Sequence, residues 1–455
     1  MNSTRPPAGS APRPSPEIEL HRVEQALAGR FPHRMIPDLS RITALMDLLG
    51  DPQRTYPSIH ITGTNGKTST ARMIDSLFRA FGVRTGRYTS PHLESVTERI
   101  CLNGLPLEPE AFAYAYDDIA PYVDLIDQRS VAEGGERVTF FELLTAMAFA
   151  AFADAPVDVG VIEVGLGGTW DATNVLDAPV AVVTPVSLDH TQLLGETTAE
   201  IAGEKAGIIA PGSTVVIAQQ PLDAAEVLLR RAVEQEATVA REGLEFGIVA
   251  RHIAVGGQML TLQGVGGTYD EVFLPLHGAH MAHNASCALA AVEAFFGAAQ
   301  PLDIEAVRTG FATADSPGRL ETVRTSPTVL LDGAHNPAGV EALVAALAEA
   351  FTFEHLVGLV AILGDKDVVR VLELLEPVLD SIVVTQNSSP RCLPVDELAG
   401  IAVDVFGGDR VTVSPRLDDA IDDGVRLADE AGPGSGVLIT GSFVTVGEAR
   451  HLLRG

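Results

Sequence analysis

The sequence contains very few lysines. Only Lys67, Lys205 and Lys366 occur among its 455 residues, and the other 28 of its 31 basic side chains are arginines. Arginine can replace lysine on a solvated surface, but it fails where a compact ammonium group or a reactive neutral amine is needed. We therefore expect these three lysines, each in a glycine- or acid-rich segment, to have chemical roles. The alternative is that a GC-rich genome has left three lysines on the surface.

Cysteine and long apolar runs are also scarce. The three cysteines, Cys101, Cys287 and Cys392, are widely spaced and odd in number, which excludes a disulfide framework or a zinc cluster and favours a reduced cytoplasm. No run of about 18 apolar residues occurs, so no membrane span is predicted. Residues 1–16 are rich in Pro, Ser and Ala and lack the apolar middle of a signal peptide, so we predict a disordered tail.

The acidic balance of the chain limits its partners. A formal net charge of −29 argues against nucleic acid as a partner, and an anionic substrate would need a local basic pocket. Hydrophobic residues make up 46% of the chain, enough for a sizeable core, and the length favours two domains. No repeat of fixed period is evident, and we expect a monomer.

The order of apolar and turn-rich segments is typical of an α/β protein. Residues 157–164 and 180–185 are continuous apolar runs that suit central parallel strands, buried on both faces. Residues 246–276 have a glycine-rich β pattern and predict a small appended sheet. Five further strands then alternate with five helices, which predicts a smaller doubly wound sheet. The predicted units are a tail at 1–16, a first domain at 17–313, a linker at 314–318 and a second domain at 319–455.

The individual elements follow from the same periodicities. A loop is predicted at 88–96 and a hairpin at 99–107. Predicted strands lie at 56–62, 157–164, 180–185, 214–218, 327–332, 356–363, 380–385, 410–414 and 436–440. Predicted helices lie at 17–29, 39–50, 68–81, 109–127, 140–153, 199–208, 280–296, 337–350, 367–378, 395–404, 416–429 and 444–453.

A phosphate-binding loop is predicted where the first strand enters a glycine turn and then a helix. Backbone N–H groups at a helix N-terminus bind phosphate oxygens, and Gly63 and Gly66 let the chain turn tightly. Lys67 would contact the outer phosphates, and the hydroxyl of Thr68 suits Mg²⁺. The general pattern has glycine at position 61, where this chain has Ile61. The alternative is a glycine turn that only caps a helix.

Polar side chains end two of the apolar strands. Glu163 and His190 each follow such a strand, and the carboxyl ends of parallel strands border one crevice. A buried carboxylate needs a partner, and Mg²⁺ suits one beside a nucleotide. His92 lies in a loop and is interpreted as structural or substrate-binding rather than as a ligand. Lys205 follows an acidic stretch, so its context alone leaves a simple salt bridge to Glu204 or Glu200 and a chemical role equally open.

Eight segments together carry a family resemblance. In chain order they are Gly63-Thr-Asn-Gly-Lys-Thr-Ser69, Thr89-Ser-Pro-His-Leu93, Thr139-Phe-Phe-Glu142, Glu163-Val-Gly-Leu-Gly-Gly168 with Asp171-Ala-Thr-Asn174, Leu188-Asp-His-Thr191, Glu204-Lys-Ala-Gly-Ile208, Pro317-Gly-Arg-Leu-Glu321 and Asp332-Gly-Ala-His-Asn-Pro337. Over residues 20–455 the chain resembles folylpolyglutamate synthase/dihydrofolate synthase of the bifunctional type, in the Mur ligase superfamily. The resemblance implies a P-loop-type, mostly parallel sheet domain followed by a smaller Rossmann-like domain.

The resemblance also implies the site residues and two cofactors, ATP and Mg²⁺, the latter as two ions. The implied ATP contacts are Gly63, Thr64, Asn65, Gly66, Lys67, Thr68, Ser69, Asn284, Arg319, Asp332 and His335. The implied metal ligands are Thr68, Ser90, Glu163, His190 and Lys205 as a carbamate. The implied catalytic residues are Lys67, Glu163, His190 and Lys205. The implied substrate segments are Thr139, Phe140, Phe141 and Glu142, then Trp170, Asp171 and Ala172, with Lys366 where glutamate approaches.

By this resemblance the chain is a cytoplasmic, ATP-dependent ligase. It would add L-glutamate to dihydropteroate, to the glutamate tail of tetrahydrofolate, or to both, through an acyl phosphate. Thr169 departs from the family, which usually has arginine there, and this puts substrate affinity or choice in question. The Thr68-Ser69 pair, where many relatives have Gly-Ser, is closer to the cell-wall ligases and still supplies a hydroxyl.

Two other functions remain open from the sequence. One is a Mur-type ligase that acts on a different carboxylate, against which stand the Ser90-Pro-His-Leu93 and Thr139-Phe-Phe-Glu142 segments. The other is a nucleotide-dependent switch without ligase activity. A switch would need the phosphate loop but no reactive Lys205.

Overall fold

The computed structural model describes residues 15–31 and 37–454. Most of the predicted tail, residues 1–14, therefore lies outside the described residues, and the first helix begins at Pro16. Within the described ranges no helix is both long and apolar enough to cross a membrane.

The larger sheet of the molecule has eight strands in the order β4-β3-β2-β5-β1-β6-β7-β8. Strands β2, β5, β1, β6, β7 and β8 run parallel, and β3 and β4 add an antiparallel hairpin at one edge. The strands are β1 (Ser58–Thr62), β2 (Thr85–Tyr88), β3 (Ile100–Leu102), β4 (Leu105–Pro106), β5 (Val159–Glu163), β6 (Val180–Val183), β7 (Thr214–Ile217) and β8 (Thr238–Arg241).

Two further sheets follow along the chain. The antiparallel three-stranded sheet contains β9 (Gly247–Ala254), β10 (Gly257–Gln263) and β11 (Thr268–Leu274). The C-terminal sheet has the order β12-β13-β17-β14-β15-β16 and is parallel except for its edge strand β12. Its strands are β12 (Glu321–Thr325), β13 (Thr328–Leu331), β14 (His355–Val360), β15 (Ser381–Val384), β16 (Val411–Val413) and β17 (Ser435–Thr440).

Fifteen α-helices lie in the described residues. They are α1 (Pro16–Ala28), α2 (Ser40–Leu49), α3 (Lys67–Ala80), α4 (Pro109–Ala132), α5 (Phe140–Asp154), α6 (Thr191–Leu194), α7 (Thr198–Lys205), α8 (Leu222–Glu234), α9 (Ala279–Phe296), α10 (Ile304–Ala312), α11 (Pro337–Ala350), α12 (Val368–Leu375), α13 (Val395–Phe406), α14 (Leu417–Ala431) and α15 (Phe443–Arg454).

The central strands β1, β5 and β6 are buried along their whole length, because helices cover both faces of a parallel sheet. One core packs α3 and α9 against this sheet and the β9–β11 sheet, and a second packs α1, α2, α4 and α5 against its other part. Two more cores lie on the faces of the C-terminal sheet. The predicted α/β class, with a larger parallel sheet followed by a smaller one, is confirmed.

The sequence patterns missed six elements, namely β2, α6, α8, β8, α10 and the antiparallel edge strand β12. Most of them are too short to show a clear apolar period, and the two longer helices, α8 and α10, were not distinguished from the loops around them. The hairpin predicted at 99–107 is present as β3 and β4, and its turn has positive φ at Asn103 and Gly104. The domain boundaries stay a prediction, although the proposed linker is packed, since Ser316 Oγ lies 3.0 Å from Ser69 Oγ in α3.

Candidate functional site

The loop between β1 and α3 has the geometry of a phosphate-binding turn. Gly63 has φ of 144° and Gly66 has φ of 87°, in the region that favours glycine. A Cβ at Gly63 would overlap the side chain of Thr184. The Nζ of Lys67 lies 3.1 and 3.2 Å from the carbonyl oxygens of Gly63 and Thr64. The lysine is thus folded over its own loop, next to the free N–H groups at the start of α3.

Helix α9 supports this loop from the side. A Cβ at Gly66 would lie 2.5 Å from the Oδ1 atom of Asn284, which is 4% exposed. Asn284 and the loop can therefore contact one ligand at the same time, and a nucleotide contact at Asn284 stays a prediction.

A buried carboxylate faces the first turn of α3. Glu163 ends β5, is 1% exposed, and accepts hydrogen bonds from Thr68 Oγ1 at 2.9 and 3.0 Å. The backbone N–H of Ser90 donates to the same carboxylate at 3.2 Å. Burial raises the pKa of Glu163, opposed by the nearby charge of Lys67. Within residues 15–31 and 37–454 no lysine or arginine forms an ion pair with this carboxylate, which leaves room for a cation.

Lys205 is buried directly behind the phosphate loop. It is 3% exposed, and its Nζ donates to the carbonyl oxygen of Gly63 at 2.9 Å. Burial, together with the positive charge of Lys67, lowers the pKa of Lys205 to about 7. Its ammonium group contacts the loop rather than Glu204, so the interpretation as a simple salt bridge is wrong. A large share of this lysine is a neutral amine near neutral pH.

The segment after β6 joins the two parallel sheets. Asp189 accepts hydrogen bonds from Lys366 Nζ at 2.6 Å and from Asn336 Nδ2 at 3.0 Å. Asn336 caps α11 and exchanges side-chain amide hydrogen bonds with Asn65 of the phosphate loop at 3.1 and 3.2 Å. Lys366 has a side chain only 5% exposed, so it is not a leftover surface lysine. The C-terminal sheet is thus tied to the phosphate loop through polar side chains.

Two histidines lie at this junction: His190 follows Asp189 in the chain, and His335 Nε2 lies 3.8 Å from Asp189 Oδ2. Burial lowers the pKa of each imidazole to about 4, so both rings are neutral near pH 7 and can act as lone-pair donors. His190 has φ of 50° and begins α6. His335 Nδ1 is 2.8 Å from the carbonyl oxygen of Gly333.

The start of the C-terminal sheet contributes a cation, Arg319, and a carboxylate, Asp332, to the site. The guanidinium of Arg319 lies 4.3 Å from the ring centroid of Phe443. Asp332 is 6% exposed and accepts the backbone N–H groups of Leu320 at 3.0 Å and Ala334 at 2.8 Å. Burial raises the pKa of Asp332, and the nearby charge of Arg319 opposes this rise.

Two connected clefts lie between the sheets. The smaller, of about 240 Å³, is bordered by Asn65, Gly66, Asn284, Arg319, Asp332 and His335. The larger, of about 720 Å³, contains the phosphate loop together with Ser90, Glu163, His190, Lys205 and Lys366. The smaller cleft suits a nucleoside, and the phosphate loop joins it to the larger one, where phosphates and a second substrate can meet.

The residues of the predicted substrate segments lie outside the lining of the larger cleft. Thr139 and Glu142 form the capping box of α5, and Glu142 is paired with Arg41 at 3.0 Å. Asp171 accepts the N–H of Leu166 at 2.9 Å. Neither these residues nor Phe140, Phe141, Trp170 and Ala172 border the larger cleft. Their role in substrate binding stays a prediction.

Thr169 also lies away from the wall of the larger cleft. Its Oγ1 donates to the carbonyl oxygen of Glu204 at 3.0 Å, next to the backbone of Lys205. The side chain of an arginine at this position would begin beside the backbone of Lys205, not at the surface of the larger cleft.

Sequence reasoning missed several side chains of the clefts. Asp189 and Asn336 stand inside quoted motifs, but their pairing across the sheets has no local signal. Arg99 and Phe443 follow no motif that distinguishes them from ordinary core residues. His92 accepts a hydrogen bond from Arg99 Nε at 2.9 Å, and both border the larger cleft.

The comparisons with known proteins agree with this geometry. The model of the family "Mur ligase, glutamate ligase domain" matches residues 318–443. The dihydrofolate synthase/folylpolyglutamate synthase of Mycobacterium tuberculosis is 55% identical over 99% of both chains. The protein of the same name from Bacillus subtilis is 32% identical over 94% of this chain and 97% of its own.

Solved structures give the same result. Mycobacterium tuberculosis folylpolyglutamate synthase complexed with ADP has a TM-score of 0.93 at 55% identity, covering 96% of this chain and 99% of the other. E. coli FolC in complex with DHPP and ADP has a TM-score of 0.82 at 29% identity, covering 97% and 99%. The resemblance inferred from the motifs is confirmed, and the chain belongs to the dihydrofolate synthase/folylpolyglutamate synthase family.

Proposed function

We propose that this protein is an ATP-dependent amide ligase that adds L-glutamate to dihydropteroate, to the glutamate tail of tetrahydrofolate, or to both. The observation that carries the proposal is the meeting of the phosphate loop, buried Glu163 and buried Lys205 in one cleft between two sheets. The names of the relatives and their ADP complexes support it. The ligase class explains why a nucleotide site and a reactive lysine occur together.

ATP fits the pair of clefts. The nucleoside would lie by Asn284, Asp332 and His335, with its phosphates on the N–H groups of residues 63–69. Lys67 and Arg319 would offset the charge of the phosphates. Asp332 suits a sugar hydroxyl, because its carboxylate has acceptor capacity beyond the two backbone N–H groups that it binds.

The oxygen donors near Glu163 fit magnesium. Thr68, Ser90 and Glu163 supply hydroxyl and carboxylate oxygens, the ligands that Mg²⁺ prefers, and neutral His190 can add a nitrogen. The described residues contain no cluster of three or more His, Cys, Asp or Glu side chains that could hold a metal, so the site depends on hydroxyls and on bound phosphates. Bound Mg²⁺ would neutralise charge on the phosphate oxygens. We propose two ions, as the resemblance implies.

Lys205 would act as a carbamate. Its neutral amine can add CO₂ and release a proton, which gives an anionic group beside the phosphate loop. Arginine cannot form this group at neutral pH, because its guanidinium stays protonated.

The reaction would proceed in two balanced steps. The carboxylate of the acid substrate attacks the γ-phosphorus of ATP, which gives an acyl phosphate and ADP. The amine of L-glutamate then attacks the acyl carbon, and inorganic phosphate and a proton leave. The protein contributes mainly by holding the reactants in line and by excluding water.

Lys366 would contribute where glutamate approaches. Its ammonium group borders the larger cleft and is held at 2.6 Å by Asp189. A carboxylate of glutamate entering from the C-terminal sheet would meet this charge. The pterin-side role of residues 139–142 and 170–172, the monomeric state and the cytoplasmic location also stay predictions.

The direct test measures ADP release from purified protein with Mg-ATP and L-glutamate. Dihydropteroate and tetrahydrofolate are added in separate reactions. ADP formation that depends on either pterin supports the proposal and assigns the acceptor. ATP binding without stimulation by either pterin would contradict it and favour a different acid or a switch.

The lowered pKa of Lys205 predicts a pH dependence of activation. The neutral amine fraction grows as pH rises through about 7, so at fixed dissolved CO₂ the carbamate should increase with pH. We expect the activity regained by CO₂-depleted protein on CO₂ addition to rise from about pH 6 to about pH 8. The measurement is the initial rate, always assayed at one pH after incubation at different pH values. Recovery of activity that depends on neither CO₂ nor the incubation pH would contradict formation of the carbamate.

The loop that contains Ser90 is held by the last helix of the chain, which predicts a distant effect on activity. A Cβ at Gly447 in α15 would overlap the carbonyl oxygen of Leu93, and Glu94 pairs with Arg450 of the same helix at 2.7 Å. We expect Gly447→Ala to displace this loop and to lower kcat/KM by about 100-fold, since small misplacements at a reacting site are costly. Steady-state kinetics check this, with Gly400→Ala in α13 as a control whose added Cβ meets no atom within 4 Å. An equal effect of the two substitutions would contradict the account.

A further inference from the structure

A buried arginine of the larger cleft forms no ion pair within the described part of the chain. Arg99 is 9% exposed and follows the loop that contains Ser90 and His92. In residues 15–31 and 37–454 no carboxylate lies within ion-pair distance of it. The remaining segments, 1–14, 32–36 and 455, contain no Asp or Glu side chain. Burying a cation without an acidic partner costs free energy unless a bound ligand supplies the missing negative charge.

The terminal nitrogens of Arg99 are available to a ligand. Its Nε donates to His92 Nδ1 at 2.9 Å, whereas its two terminal nitrogens have no hydrogen-bond partner among the described residues. They are also absent from the fully enclosed, unsatisfied atoms of the described chain, and Arg99 borders the larger cleft. Two N–H groups in a planar fork are therefore open to a ligand, in a geometry that suits a carboxylate.

An aromatic wall lies beside this cation. The guanidinium of Arg99 is 5.2 Å from the ring centroid of Phe140. Phe140 in turn stacks on Phe31 with centroids 4.3 Å apart and planes 17° apart. Phe31 is exposed and also borders the cleft. An exposed aromatic face next to an open guanidinium suits a planar aromatic acid rather than an aliphatic one.

We propose that Arg99 binds the carboxylate of the pterin-bearing acid substrate, with the exposed ring of Phe31, supported by Phe140 behind it, beside the aromatic ring that bears this carboxylate. The inference rests on the proposed function and adds a binding residue that the motifs did not supply. Arg99 would orient the carboxylate towards the phosphate loop. It would also supply the substrate-binding cation that the chain does not have at Thr169.

The test compares an acid with its ester. Pteroic acid and pteroic acid methyl ester are titrated into wild-type protein and into the Arg99→Gln and Arg99→Lys variants, with binding followed by calorimetry. We expect Arg99→Gln to weaken binding of the acid by about 10- to 100-fold, as for loss of charge-assisted hydrogen bonds, and to leave binding of the ester nearly unchanged. The affinity of Arg99→Lys for the acid should lie between those of wild-type protein and Arg99→Gln. The lysine ammonium keeps the positive charge but lacks the planar pair of N–H donors of the guanidinium.

The controls separate this inference from a loss of fold and from the proposed function. Arg84→Gln removes an exposed arginine that is paired with Asp158, and it should keep the wild-type preference for the acid. In kinetics with dihydropteroate, Arg99→Gln should raise the KM for dihydropteroate and leave the KM for ATP unchanged. An Arg99→Gln protein that keeps the acid preference overturns this inference alone. Wild-type protein that forms no ADP with either pterin overturns the proposed function, and this inference with it.

Discussion

Replacing Lys205 with arginine should abolish amide formation. The substitution keeps a positive charge but removes a buried amine beside Gly63 whose pKa of about 7 lets it become neutral and add CO₂. We expect kcat/KM for ligation to fall by about 100-fold or more, as when a residue that supports a metal site is lost. The measurement is glutamate-dependent ADP release, together with ATP binding to show that the phosphate loop is intact.

A second lysine offers the matched control for this result. Lys366→Arg makes the same change of side chain at a site where the lysine forms an ion pair with Asp189, and arginine can also pair with a carboxylate. Activity should fall much less than in Lys205→Arg. If Lys205→Arg retains ligation while Lys366→Arg loses it, the carbamate has no part in the reaction.

Replacing Glu163 with glutamine should also nearly abolish the reaction. The neutral amide keeps the shape of the buried side chain but removes the charge that faces Thr68 and Ser90. A metal site supplies several kcal/mol of transition-state stabilisation, so we expect kcat to fall by about 100-fold or more, since each tenfold change is about 1.4 kcal/mol. A magnesium titration of activity should shift to higher concentrations.

Glu293 is the matched control for a buried carboxylate. It is 0% exposed in α9, and it accepts the hydroxyl of Tyr269 at 2.7 Å and the N–H of Val265. Glu293→Gln should cost about 1–3 kcal/mol of folding free energy with no change in the magnesium dependence. If Glu163→Gln behaves in the same way, its carboxylate is structural and the proposed metal site fails.

The sequence alone predicted the part of the site that lies close together along the chain. The strand, glycine turn and Lys67 are local, and the geometry of Gly63 and Gly66 follows from them. Glu163 and His190 were predicted from their places after buried strands, because parallel strands present their carboxyl ends at one edge. The scarcity of lysine directed attention to Lys205, and its burial and lowered pKa agree with a chemical role.

The contacts between distant segments could not be predicted in this way. The pairing of Asp189 with Asn336 and Lys366 depends on how the C-terminal sheet docks, which has no periodic signal. In the sequence Arg99 is part of a predicted β-hairpin, and only the fold shows that no carboxylate of residues 15–31 and 37–454 forms an ion pair with it. For two residues that the resemblance assigns to substrate binding, the structure instead shows a local role. Thr139 and Glu142 form the capping box at the start of α5.

The most direct measurement follows labelled L-glutamate into the pterin product while ADP is counted in the same reaction. The account predicts that, with dihydropteroate or tetrahydrofolate present, each mole of ADP accompanies one mole of glutamate in an amide product, and that wild-type protein forms both but the Lys205→Arg variant forms neither. ADP released without glutamate in a pterin product, in wild-type protein supplied with either acceptor, would contradict it.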